Sequence, residues 1–143
     1  MATLPWTTNT APDSSADTVV LGSRLELRSL GDTVRFLRAA LQVRTQVLAS
    51  PGAIGVSLIA QPAHKTYWTL SAWTDQDALD AFVRTTPHLD VMRRFHDRLE
   101  RATFTTWSVP AADLPKARSR ATELWRAARE RLAASEMTMG GDA

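Results

Sequence analysis

Residues 66–92 read TYWTLSAWTDQDALDAFVRTTPHLDVM, and the period of the apolar positions changes partway along. Up to Trp73 it is two. Thr66, Trp68, Leu70 and Ala72 point one way and Tyr67, Thr69, Ser71 and Trp73 the other, so the segment is a strand. Large groups on both sides predict a cover over each. Thr74-Asp75-Gln76-Asp77 then offers side-chain oxygens to the free N–H groups of a first helical turn, and Leu79, Phe82 and Val83 follow at helical spacing. Proline suits a first turn and forbids a helix interior. Pro87 therefore splits the pattern into a short helix, a break at Thr85-Thr86 and a second helix over 87–101, with the stripe His88, Val91, Met92, Phe95 and Leu99.

Working outward, TVVLGSRLELRS (18–29) alternates at Val20, Leu25 and Leu27 as a strand, with Gly22 marking a bulge. Gly31-Asp32 opens a helix in TVRFLRAALQVRTQVLA. Its stripe is Val34, Leu37, Leu41 and Leu48, widened by Phe36, Ala40, Val43 and Val47. AIGVSLIAQ (53–61) sets Ile54, Val56, Leu58 and Ala60 on one face, with the small Gly55 and Ser57 opposite. ATFTTWSVP (102–110) sets Thr103, Thr105 and Trp107 against Phe104 and Thr106.

The order is β-α-β-β-α-β, the ferredoxin-like α+β arrangement of a four-stranded antiparallel sheet with helices on one face. Asp113-Leu114-Pro115 opens a further C-terminal helix striped by Leu114, Ala117, Ala121, Leu124, Ala128 and Leu132. The organisation expected is a flexible arm over 1–17, a domain over 18–110, the C-terminal helix over 111–135 and a disordered tail over 136–143. Helices on one face leave the other bare. A second copy is the expected cover, which makes the protein a homodimer with a dimeric α/β barrel.

At 143 residues, 44% hydrophobic and 22% charged, the chain has the size and composition of one globular domain. It has no cysteine, which excludes disulfides, thiolate metal sites and cysteine nucleophiles. A formal charge of +2 gives no basic patch for nucleic acid. No run approaches the roughly 18 apolar residues of a membrane span. The first basic residue is Arg24, so the opening stretch lacks the charged start of a secretory signal, and a cytoplasmic protein is expected. No Ser-His-Asp set, phosphate-binding glycine loop or carboxylate pair is visible.

The segment YWTLSAWTDQDALDAFVRTTPHLDVMRRF has a strand ending in Trp, an acid-capped helix containing DAF, and His-x-x-x-Met on the next helix. In these features it resembles the dimeric α/β-barrel superfamily of antibiotic-biosynthesis monooxygenases, haem-degrading monooxygenases and DUF3291-type proteins, most of all the spheroidene-monooxygenase-like branch. The resemblance covers about 18–110. It implies a cavity between sheet and helices that holds a small hydrophobic molecule, and either cofactor-free oxidation of an aromatic or quinol substrate or binding of haem through an axial histidine, a position that His88 matches. Two departures stand out. The first strand lacks the Asn of the haem degraders, and RRFHDRLE replaces the Trp-aromatic pair of the spheroidene-like branch. Cofactor-free oxidation and plain ligand binding by a non-catalytic or structural dimeric module therefore both stay open, and the cofactor is none or haem.

His88 shares the stripe of Val91, Met92 and Phe95 and points inward. There it is either a base or haem ligand, since imidazole titrates near neutrality, or a core histidine bonded to backbone. His96 lies about 12 Å further along the helix by the 1.5 Å rise and His64 in a turn, so the three share no metal. Trp68, Trp73 and Trp107 offer flat walls to a planar polycyclic, polyene or porphyrin ligand, or fill core. Tyr67 and Ser71 offer hydroxyls to a substrate oxygen, with Met92 and Phe95 shaping the pocket. Arg93 and Arg94 are either carboxylate partners at the cavity mouth or a solvated face, and Trp125 would serve a docking arm if the last helix embraced a second subunit.

Overall fold

The computed structural model describes residues 2–9, 11–116 and 118–141, the side chains of 136–141 excepted. Strand β4 (Thr66–Trp73) lies at the middle of a sheet, antiparallel to β3 (Ala53–Gln61) on one side and to β2 (Asp17–Leu27) on the other. Outside them run β5 (Leu99–Pro110) along β2 and β1 (Ala2–Thr8) along β3, giving the order β1-β3-β4-β2-β5. Helix α1 (Thr33–Ala49) joins β2 to β3, and α2 (Gln76–Val83) and α3 (His88–Phe95) join β4 to β5. Without β1 this is the ferredoxin-like α+β sheet read from the sequence. Asp75 caps α2 as expected, its side chain accepting from the Ala78 N–H at 2.8 Å.

Several expectations are corrected. The helix expected over 87–101 ends at Phe95, because Leu99 and Arg101 already pair with Leu27 and Glu26, and the ladder takes the backbone groups a longer helix would need. Gly22 is no bulge. It pairs in register with Leu70 and Thr105, and its missing side chain lets a helix approach, since a Cβ there would stand 3.3 Å from that of Ala128. Along α1 the buried positions are Phe36, Ala39 and Val47, whereas Val34 and Leu41 are exposed. Ile54 joins the face opposite Val56 and Leu58, because the pairing shifts between Ala53 and Gly55.

The expected arm over 1–17 is largely built into the sheet. Residues Ala2–Thr8 form an edge strand, and Trp6 is fully buried on Gly55, where any Cβ would collide with the indole. The C-terminal helix begins later than expected. After a short turn at Ala111–Asp113 the chain runs alongside β1, where Ser119 and Trp6 exchange backbone hydrogen bonds of 2.7 and 3.4 Å. Ala121, at φ 51, then turns it into α4 (Thr122–Gly141). Where a disordered tail was expected from 136, the helix continues to Gly141; Asp142, Ala143 and Ala117 lie outside the described residues.

Helix α4 crosses the sheet face that points away from α1, α2 and α3. Leu124, Trp125 and Ala128 pack there on Trp6, Val20, Ile54, Ile59, Leu70 and Ala72. The Trp125 indole N–H donates to Ser57 Oγ at 3.1 Å, so this tryptophan serves its own chain's core. The argument for a dimeric barrel needs a bare sheet face, and the chain covers that face itself. No described helix is long and apolar enough to cross a membrane.

Candidate functional site

On the other face the side chains do not close completely. The helix-facing positions of β4 carry Tyr67, Thr69 and Ser71, and those of β2 carry Leu21, Ser23 and Leu25. Ser23, Thr69 and Ser71 are too short to fill the space under Ala40, Val43 and Val47 of α1 and Val91 and Phe95 of α3. A cavity of about 100 Å³ remains. Two of its lining residues, Met92 at 37% and Phe104 at 46% exposure, stand in solvent at its mouth.

The polar groups of this apolar chamber are few and mostly fixed. Ser23 and Thr69 share a hydroxyl–hydroxyl hydrogen bond. The Tyr67 hydroxyl donates to the Thr33 carbonyl at 3.1 Å, and burial pushes its pKa above the phenol range, so it stays protonated. Ser71 Oγ accepts from the Trp73 indole at 2.9 Å, which leaves the Ser71 proton free to donate into the cavity.

His88 is held from two sides. Its backbone N–H donates to Gln46 Oε1 at 2.7 Å, and the Gln46 amide donates in turn to the Phe82 and Thr85 carbonyls at 3.3 and 3.2 Å. One side chain of α1 thus pins the α2–α3 connection. The imidazole rests on the Phe82 ring with centroids 4.8 Å apart and donates from Nδ1 to the Val83 carbonyl at 3.1 Å. A carbonyl only accepts, so the proton sits on Nδ1 and Nε2 keeps its lone pair. Desolvation lowers the pKa below the usual imidazole range, with the Val83 bond opposing it, and the ring is neutral at pH 7.

The structure thus brings Tyr67, His88, Met92 and Phe95 together on one cavity. It does not bring the three tryptophans there. Trp73 lies behind the wall, packed on Phe82 at 4.9 Å, and reaches the cavity only through Ser71. Trp68 has the opposite strand parity to Tyr67 and lies on the α4 face, between the Arg24 and Arg129 guanidiniums, each 5.1 Å from its ring. Trp107 is also on that face, under Arg131 at 5.1 Å. Arg93 and Arg94 are exposed and outside the lining of this cavity, Arg94 lying over the Phe95 ring at 5.8 Å.

Two residues went unread in the sequence. Arg44 lines the cavity, and the signal was present: it stands four residues after Ala40 and three before Val47, a cation in the apolar phase of a helix. Gln46 gave no such signal, since a glutamine on a half-buried helix is ordinary.

Haem does not fit these residues. Nε2 of His88 is a competent donor, but pockets for drug-sized ligands, which are smaller than a porphyrin, occupy roughly 300–1,000 Å³, against about 100 Å³ here. Among the described residues no three histidine or carboxylate side chains gather at a metal-binding distance.

The family model for DUF3291, a domain of unknown function, matches residues 37–136. No curated protein matches the chain in sequence. Among solved structures, the chain is similar to a candidate antibiotic biosynthesis monooxygenase from Nitrosomonas europaea at a TM-score of 0.59 and 14% identity, over 64% of this chain and 89% of that one. It is similar to SnoaB, a cofactor-independent oxygenase from Streptomyces nogalater, at 0.55 and 17%, over 64% and 92%. A candidate monooxygenase from Fusobacterium nucleatum aligns at 0.65 and 9%, over 76% of this chain and 49% of its own, so the chain spans about half of it. At these identities the likeness is one of fold.

Proposed function

The chain belongs to the DUF3291 family, and on that premise we propose that it is a monooxygenase-like protein that oxidises a single-ring quinol with molecular oxygen and no resident cofactor. The observation that carries this is the neutral imidazole of His88, its tautomer fixed by Val83, on an apolar cavity that also holds the Ser71 hydroxyl. The cavity size supports one ring: about 100 Å³ is on the order of the roughly 150 Å³ void that holds benzene. The cofactor-independent activity of SnoaB, carried on the same fold, supports oxygen chemistry here.

Nε2 would take the proton of a quinol hydroxyl while Ser71 donates to the oxygen left behind. The resulting anion is rich enough in electrons to react with O2. A quinol carries its own reducing electrons: quinol plus O2 gives hydroxyquinone plus water, so no external reductant enters. Met92, flexible and at the mouth, admits the ring.

A second reading, a binding module without catalysis, is favoured by the same cavity, which falls short of the roughly 300 Å³ of common ligand pockets. Oxygen uptake with hydroquinone separates the two. Equimolar consumption of O2 with formation of hydroxyquinone, lost in His88→Asn, supports the oxygenase; hydroquinone binding without uptake establishes the module. A hemin titration in parallel should show no Soret band saturating at one haem per chain.

A further inference from the structure

Arg44 reaches the cavity from the middle of α1, and its surroundings are unusual for a guanidinium. One terminal nitrogen donates to Thr7 Oγ1 of β1 at 3.0 Å. Nε is buried with no hydrogen-bond partner, and no carboxylate among the described residues pairs with it. The cavity lining contains no Asp or Glu. Arg44 is itself half-buried, and with His88 neutral it is the one charged side chain of the lining.

The buried Nε–H without an acceptor is costly to the folded protein, and the half-exposed guanidinium around it has no counter-ion. A ligand that supplies a planar anion gives that N–H an acceptor and the cation a counter-ion. We infer that Arg44 recognises a carboxylate on the ring, so that the substrate class is a monocyclic aromatic acid bearing the quinol; this rests on the quinol reading above. The guanidinium fork matches a carboxylate in shape as well as charge. Thr7 stands opposite Val56 in the β1–β3 ladder, which places Arg44 at the β1 side of the cavity, whereas Phe104 stands at the mouth on the β5 side. The same helix carries Gln46, which anchors His88. One rigid element therefore sets both the carboxylate site and the proton acceptor.

The test compares 2,5-dihydroxybenzoate, its methyl ester and hydroquinone by isothermal titration calorimetry against the full chain and against Arg44→Gln and Arg44→Lys. The acid should bind at least about tenfold more tightly than hydroquinone or the ester, as a charge-assisted pair warrants. Arg44→Gln should bring the acid down to the level of hydroquinone, and Arg44→Lys should keep part of the preference. The acid–ester comparison in the unaltered protein needs no variant to fold. An ester that binds as tightly as the acid, or a preference that survives in Arg44→Gln, overturns the inference and shows an arginine that merely extends along the wall. Failure of all three compounds to bind the unaltered protein overturns the quinol reading and this inference with it.

Discussion

The two faces of one sheet have been finished differently. Under α4 the sheet offers Gly22, Gly55 and Ser57, and the space is filled by Ala128, Trp6 and Trp125, with arginines laid over Trp68 and Trp107. Under α1 and α3 the same strands offer Leu21, Ser23, Thr69 and Ser71, and a cavity remains. Small residues on one face admit large aromatics, and on the other they leave room. Trp6, Trp68, Trp107 and Trp125 therefore mark the sealed face, whereas Ser23, Thr69 and Ser71 mark the open one, where Trp73 lies behind the wall on Phe82.

If the α4 face is structural, breaking it should produce the largest effect in the molecule. Trp125→Ala removes a buried indole and its bond to Ser57 and should cost about 3–5 kcal/mol. Urea denaturation measures this. Met92→Ala, at a half-exposed position on the other face, should cost under about 1 kcal/mol. Equal losses at the two positions would erase the distinction between the faces. Gly55→Val comes next: overpacking Trp6 should cost at least about 1–3 kcal/mol, read as a lower denaturation midpoint.

Filling the cavity should have the opposite sign. Ala40→Leu projects from the roof into the chamber and should leave stability unchanged or raise it by roughly 0.5–2 kcal/mol, while abolishing hydroquinone binding. A stabilised variant that still binds the quinol would place the ligand elsewhere.

The sequence made half of this comparison legible. Period-two alternation in residues 66–73 put Tyr67 and Ser71 on the side of Trp73 and left Trp68 on the other, and the structure keeps that division. What alternation does not state is which face carries the cavity, because a tryptophan has the same parity whether it walls a pocket or seals a helix. The N-terminal strand was hidden by its threonines, although Pro5 is at home on an edge strand, where β1 lies. Helix α4 was legible as amphipathic. An apolar stripe does not say what it covers, so the bare sheet face was assigned to a second copy. His88 was found through helical phase, and the same phase applied to α1 would have found Arg44.

The smallest effect is a pH dependence confined to the open face. His88 titrates below the ordinary imidazole range when folded, because burial disfavours its cation more than the Val83 carbonyl favours it. Between the folded and unfolded pKa values the unfolded chain binds more protons than the native one, so stability rises with pH across that interval. The contribution is fully present above the unfolded value of about 6.5 and is lost as pH falls through the folded one. Urea midpoints of the unaltered protein should therefore decline as pH drops from 7 towards 5, and His88→Asn should decline less over the same range. If the two decline in parallel, another group carries the dependence and His88 is not desolvated. Trp125→Ala, on the sealed face, should lower both ends of the profile equally and leave its slope alone.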